Sequence, residues 1–162
     1  MLQGDDVIVY DDLSVGNILD VEALGSLNTP GKLLAFVRGN LCDRAWLMDS
    51  LAEHDLDAIL HIVSIQDAAN TSGTCYADII SDILNILETM RIGNIGKLVV
   101  SYHIPQDCND SPFHRGMMLS KKLVEDYGMM HGISYAFLEH VAGEYPDIKE
   151  LSLMHAKTLH SL

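Results

Sequence analysis

Basic residues are scarce in this chain: 10 lysines and arginines stand against 23 aspartates and glutamates among 162 residues, a formal net charge of -13. A phosphate backbone is gripped by lysine and arginine, so nucleic acid is excluded as the main partner. An anionic membrane surface is disfavoured on the same ground, and the acidic balance is read as serving solubility. Cysteine is scarce too. The 3 present, Cys42, Cys75 and Cys108, are widely spaced and form no Cys-x-x-Cys pair. Such a set reads as reduced thiols in a cytosol-like compartment. The N-terminal Met1-Leu2-Gln3-Gly4-Asp5-Asp6 lacks the basic and apolar stretches of an export signal. No apolar run approaches the roughly 20 residues that cross a bilayer. The expectation is a cytoplasmic protein with neither membrane nor nucleic acid as partner.

What is present is a globular pattern, with 48% hydrophobic and 20% charged residues. Short apolar, β-branched runs at Val7–Tyr10, Leu33–Val37, Ala58–Val63, Leu98–Ser101 and Tyr135–Leu138 predict strands. Helical periodicity lies between and after them, over Arg44–His54, Tyr76–Met90, Met117–Met130 and Ile148–Ser161. Alternation of this kind predicts crossover units and a mostly parallel, buried sheet. Gly132 follows His131 where a helix end calls for a left-handed cap. Without a repeat or a low-complexity stretch, residues 1–162 are expected to form a single domain.

Six segments, in order, carry a resemblance. They are Val7-Ile8-Val9-Tyr10-Asp11-Asp12-Leu13-Ser14-Val15-Gly16, Arg38-Gly39-Asn40-Leu41-Cys42-Asp43-Arg44, Asp57-Ala58-Ile59-Leu60-His61, Leu84-Asn85-Ile86-Leu87-Glu88-Thr89-Met90, Ser120-Lys121-Lys122-Leu123-Val124-Glu125 and Val141-Ala142-Gly143-Glu144-Tyr145-Pro146-Asp147. Together they resemble UDP-glucose 4-epimerase and its relatives, the NAD-dependent epimerases and dehydratases of the extended short-chain dehydrogenase/reductase family. The resemblance implies a Rossmann-like, doubly wound α/β fold binding NAD, with hydride chemistry on a nucleotide sugar.

The resemblance also shows what is altered. A dinucleotide site needs a glycine-rich turn after its first strand, so that a pyrophosphate can approach backbone N–H groups and a helix N-terminus. The sequence has no Gly-x-x-Gly-x-x-Gly, and its first strand aligns with the family's second. A truncated sheet of about five strands is therefore expected. Asp11 aligns with an acidic residue that takes the adenosine ribose, with Asp12, Asn40 and Leu41 as further cofactor-binding remnants. The plainer reading is that Asp11 and Asp12 end a strand and cap a turn. Lys121 aligns with the lysine that holds the ribose and lowers a catalytic tyrosine's pKa, but Met117 occupies the tyrosine position. Tyr102 and His103 are the candidate substitute acids or bases. Glu139 stands where the family has an arginine, and Ile79 where it has an asparagine.

Among the 8 histidines, no His-x-x-x-His or His-Glu-x-x-His pair marks a metal site. His61, His103 and His140 lie at strand ends and could converge above a parallel sheet, although isolated histidines are the plainer reading. No metal is expected. Methionine pairs Met117-Met118 and Met129-Met130 bracket one helix. In the family resembled, that helix and the one at 76–90 form a dimer contact, so a homo-oligomer through helices 76–90 and 117–130 is expected. Without a first strand, the second and fourth family strands are expected to pair directly. The expected role is an epimerase/dehydratase-like protein without catalysis, serving a structural, regulatory or partner-binding purpose. The alternative is an active or ligand-binding nucleotide-sugar enzyme using NAD with a rearranged site.

Overall fold

A computed structural model describes residues 4–14, 16–26, 30–64, 74–104, 111–141 and 148–162. Their order is β1 (Val7–Asp11), α1 (Ile18–Gly25), β2 (Leu33–Arg38), α2 (Arg44–Ala52), β3 (Ala58–Ser64), α3 (Thr74–Gly93), β4 (Lys97–Ile104), α4 (Pro112–His131), β5 (Ser134–Val141) and α5 (Ile148–Ser161). All five sequence-assigned strands are present, each longer by one to four residues, and the four expected helices are found. Helix α1 was not read from the sequence, because Ile18–Gly25 is short and its apolar residues show no clear stripe.

Helix ends follow local chemistry. Asp43 accepts a hydrogen bond from the Trp46 N–H to open α2, and Ser111 accepts one from the His114 N–H to open α4, with Pro112 in its first turn. Gly132 closes α4 at φ 70°, the left-handed cap expected from sequence. Gly39 is required after β2 because a Cβ there would collide with the Tyr10 hydroxyl and the Trp46 ring.

Pairing is parallel throughout: β1 with β2, β3 with β4, and β4 with β5. Alternation along β4 separates two faces. Leu98, Val100 and Tyr102 join a core with Ile83, Leu87 and Met90 of α3 and Met117 and Val124 of α4. Ser101 points the other way and meets His155 of α5. Helices α3 and α4 thus cover one face and α5 the other. The Glu88 carboxylate ties the helix layer together, accepting from Arg44 of α2 at 3.2 Å, Arg91 of α3 at 2.9 Å and Tyr127 of α4 at 2.7 Å.

One expectation is overturned. The sheet is divided into a two-stranded part, β1-β2, and a three-stranded part, β3-β4-β5, with no ladder joining β1 to β3. The two parts share one helix layer: Asn85 of α3 donates to the Leu41 carbonyl just before α2, and Arg44 of α2 meets Glu88 of α3. Direct pairing of β1 with β3 is not formed, because the contacts that join the two parts run through helices rather than through a strand ladder.

Candidate functional site

The C-terminal half of β4 carries both substitute acids proposed from sequence, but alternation sends them to opposite faces. Tyr102 turns into the α4 layer, where its hydroxyl lies 2.6 Å from the Ser120 hydroxyl. Ser120 in turn donates to the Met117 carbonyl at 2.8 Å, so Tyr102 is the donor to Ser120. The tyrosine is 0% exposed. Burial pushes its pKa up to about 12, and Glu139 adds to the rise, while the Ser120 hydrogen bond opposes it.

Lys121 is brought to this tyrosine. Its ammonium lies 5.5 Å from the centre of the Tyr102 ring and 5.7 Å from that of Phe137. The charge is paired with Glu139 of β5. Met117 is buried in the core one helical turn earlier. Lysine and tyrosine thus stand together, but the ammonium is held by a carboxylate and the phenol is sealed by a serine. A phenol raised to about 12 is a poor proton donor near neutral pH, and the buried hydroxyl has no open side towards a substrate.

His103 lies on the α5 face. Its ring centre is 5.4 Å from that of His140 on β5, and His140 is 5.9 Å from His155 of α5. His155 shares a hydrogen bond with Ser101 at 2.9 Å. Burial lowers the pKa of His103 and His155, and their imidazole neighbours lower it further. The convergence of His61, His103 and His140, weighed from sequence against isolated histidines, is formed only by His103 and His140. Residue parity places His61 on the α3 face, where burial pushes its pKa down to about 4, and His155 takes its place in the cluster. Among the described residues no group of three histidines, cysteines or acids could hold a metal ion.

At the end of β1, Asp11 accepts from the Leu13 N–H at 2.7 Å and Asp12 from the Ser14 N–H at 2.8 Å. Both make tight turns, the plainer reading offered from sequence. Asn40 donates to Asp12 at 3.3 Å and accepts from the Cys42 N–H at 2.8 Å. The Leu41 carbonyl is taken by Asn85. Nearby, the Cys42 thiol lies 3.4 Å from Asp82 of α3, whose carboxyl is pushed up to about 6, chiefly by burial. Asp82, Ser120 and His155 were missed by sequence reasoning. Ser120 had a local signal in its place beside Lys121, but the others meet their partners only across the fold.

A pyrophosphate takes free N–H groups at a helix N-terminus; one such N–H of each of α1, α2 and α4, those of Leu19, Trp46 and His114, is already held by Asn17, Asp43 and Ser111.

No protein-family model and no curated protein matches the sequence. Solved structures do share its fold. The UDP-glucose 4-epimerase of Stenotrophomonas maltophila, solved with NAD and formylated UDP-arabinopyranose, is 21% identical with a TM-score of 0.70, over 85% of this chain and 46% of its own. The UDP-Glc/GlcNAc 4-epimerase of Campylobacter jejuni is 18% identical with a TM-score of 0.71, over 93% of this chain and 54% of its own. A dTDP-glucose 4,6-dehydratase of Streptomyces venezuelae, solved with NAD bound, is 17% identical with a TM-score of 0.66, over 84% and 46%. The chain thus spans about half the length of the structures it resembles, and at these identities the likeness is one of fold, the Rossmann-like α/β fold. No helix among the described residues is long and apolar enough to cross a membrane.

Proposed function

We propose that this chain is a relative of the NAD-dependent nucleotide-sugar epimerases and dehydratases that does not turn over a sugar nucleotide and acts through binding, in a structural or regulatory role. The observation that carries the reading is the state of the one tyrosine–lysine pair near the aligned position. Tyr102 is fully buried with its hydroxyl closed by Ser120, and Lys121 is paired with Glu139. Met117, a thioether with no transferable proton, stands four residues before the lysine. One N-terminal N–H of each of α1, α2 and α4 is taken by the chain's own side chain, which supports the reading without a bound cofactor.

Self-association belongs to the same proposal. Met118 and Leu119 on α4, and Met129 and Met130 near its end, are exposed, and methionine suits adaptable interfaces. A homodimer through the outer faces of α3 and α4 would cover them.

A second reading is favoured by one observation, the approach of Lys121 to the Tyr102 ring at 5.5 Å. If a bound nucleotide drew Lys121 off Glu139, the lysine would lie near a tyrosine, as catalysis of the family type requires. Calorimetric titration of the folded protein with NAD and then UDP-glucose separates the two. The expected outcome is no heat and no thermal stabilisation with either ligand. Micromolar NAD binding would move the reading to an enzyme or a sensor.

A further inference from the structure

On its second face the three-stranded part of the sheet meets α5, and histidines make much of that contact. Strand register sets Ser101 beside Leu138 and His103 beside His140, and alternation keeps these four on the face that His155 of α5 reaches. The three rings form a row, with His140 in the middle, 5.4 Å from His103 and 5.9 Å from His155. His140 and His155 are both buried. His155 has the Ser101 hydroxyl at 2.9 Å, whereas the Nε2 of His140 is buried without a hydrogen-bond partner among the described residues.

Among the described side chains, this face offers no carboxylate to a charged imidazole. By parity β3 contributes Ala58, Leu60, Ile62 and Ser64, β4 adds Lys97 at its far end, and β5 adds Ser134 and Ala136. Glu139, next to His140 in sequence, turns to the other face and is held by Lys121, and His61 also lies on that other face. On α5, Lys157 is exposed and His160 bonds Asp5. A proton on any one ring of the row therefore meets other imidazoles and buried surface in place of water. The lowered pKa of His103 and His155, due first to burial and then to their imidazole neighbours, agrees with this setting.

We propose that His103, His140 and His155 act together as an acid-opened latch: α5 undocks from the sheet with uptake of more than one proton and uncovers the apolar second face of β3, β4 and β5. Undocking carries His155 away and opens the other two rings to water, so the three regain ordinary hydration in one step. The face released holds Val99, 0% exposed, and Leu138, beside Leu60 and Ile62, which are already exposed. His160 works the other way, because its protonation strengthens the pairing with Asp5. The latch is independent of the function proposed above, since it needs neither a nucleotide nor its absence.

Proton number separates a latch of several histidines from a single titrating contact. One imidazole with an ordinary pKa near 6.5 when undocked raises the opening constant by at most about tenfold between pH 7.5 and 5.5, and three by up to about a thousandfold. Amide hydrogen exchange of the full chain, followed by NMR and divided by the intrinsic rate at each pH, reads that constant. Protection of residues 154–161 should fall by more than about tenfold over this range, and at each pH it should be lower than that of residues 98–102 in β4. His140→Gln, which leaves the His155–Ser101 contact in place, should shrink the fall several-fold, whereas His160→Gln should not shrink it. A fall of about tenfold or less in the unmodified protein would overturn the proposal. Equal protection of α5 and β4 at every pH would do the same, because α5 would then open only with the whole fold. Both results are read on the unmodified protein, so neither depends on a variant folding. An unchanged fall in a folded His140→Gln protein would remove the middle ring from the latch and overturn it as well.

Discussion

At the scale of single residues, Tyr102 and Ser120 show how a buried polar pair limits chemistry. Ser120 is satisfied twice, by Tyr102 and by the Met117 carbonyl, whereas the Ser120 bond is the one described for the tyrosine hydroxyl. The two truncations should therefore differ. Tyr102→Phe leaves Ser120 bonded to Met117, and the loss should stay near 1 kcal/mol. Ser120→Ala orphans a buried phenol at a cost of about 1–3 kcal/mol. Urea denaturation should rank Ser120→Ala as the more damaging change, and the double variant should recover part of its loss. The reverse order would mean that the hydroxyl reaches water.

At the scale of elements, Glu88 joins three helices with one carboxylate. Its pKa is pulled down to about 2 by the Arg91 and Tyr127 hydrogen bonds, with the Arg91 and Arg44 charges adding to the shift. The folded value lies below the ordinary carboxylate value of 4.5, so the folded state binds fewer protons in that interval. The contribution is present above about pH 4.5 and is lost as pH falls towards 2. Partly exposed pairs are screened, so each ion pair is worth no more than about 1 kcal/mol. Glu88→Gln should lower Tm by a few degrees at pH 7. The gap to the unmodified protein should narrow below about pH 4.5 and close only as pH falls through about 2, measured by thermal denaturation at each pH. A gap independent of pH would assign the effect to shape rather than charge.

At the scale of the whole molecule, α5 is the element that ties the two parts of the sheet on their second face. Its His155 has a pKa lowered first by burial and then by His140 and His103. The unfolded chain therefore binds more protons than the folded one as pH falls below about 6.5, and acid favours undocking of α5. Three other groups titrate in or near this range. His103, lowered chiefly by burial, and His61, pushed down to about 4, act in the same direction, and Asp82, raised to about 6, acts in the opposite one. The His155 share is isolated by comparing the protein with His155→Gln. Between pH 7.5 and 5.5 the unmodified protein should lose more of its urea midpoint than the variant does. Equal losses would show that the His155–Ser101 contact is already open to water.

Strand positions, the Gly132 cap and the absence of a glycine-rich turn are local properties, and the sequence by itself determined them. Apolar periodicity, a left-handed residue and a missing motif can each be read within a few neighbours. So can the replacement at Met117, because it depends only on spacing from Lys121. Three features were decided by tertiary structure. Lys121 finds Glu139 across a helix–strand contact, His103 and His155 meet through His140 on a face chosen by strand parity, and the sheet forms in two parts with no ladder between β1 and β3. Each depends on which distant segments the helix layer brings together, and no window of sequence contains that information. Side-chain parity split Tyr102 from His103, adjacent in sequence, to opposite faces, while contacts made through the helices, far apart in sequence, left β1 and β3 unpaired where direct pairing was expected.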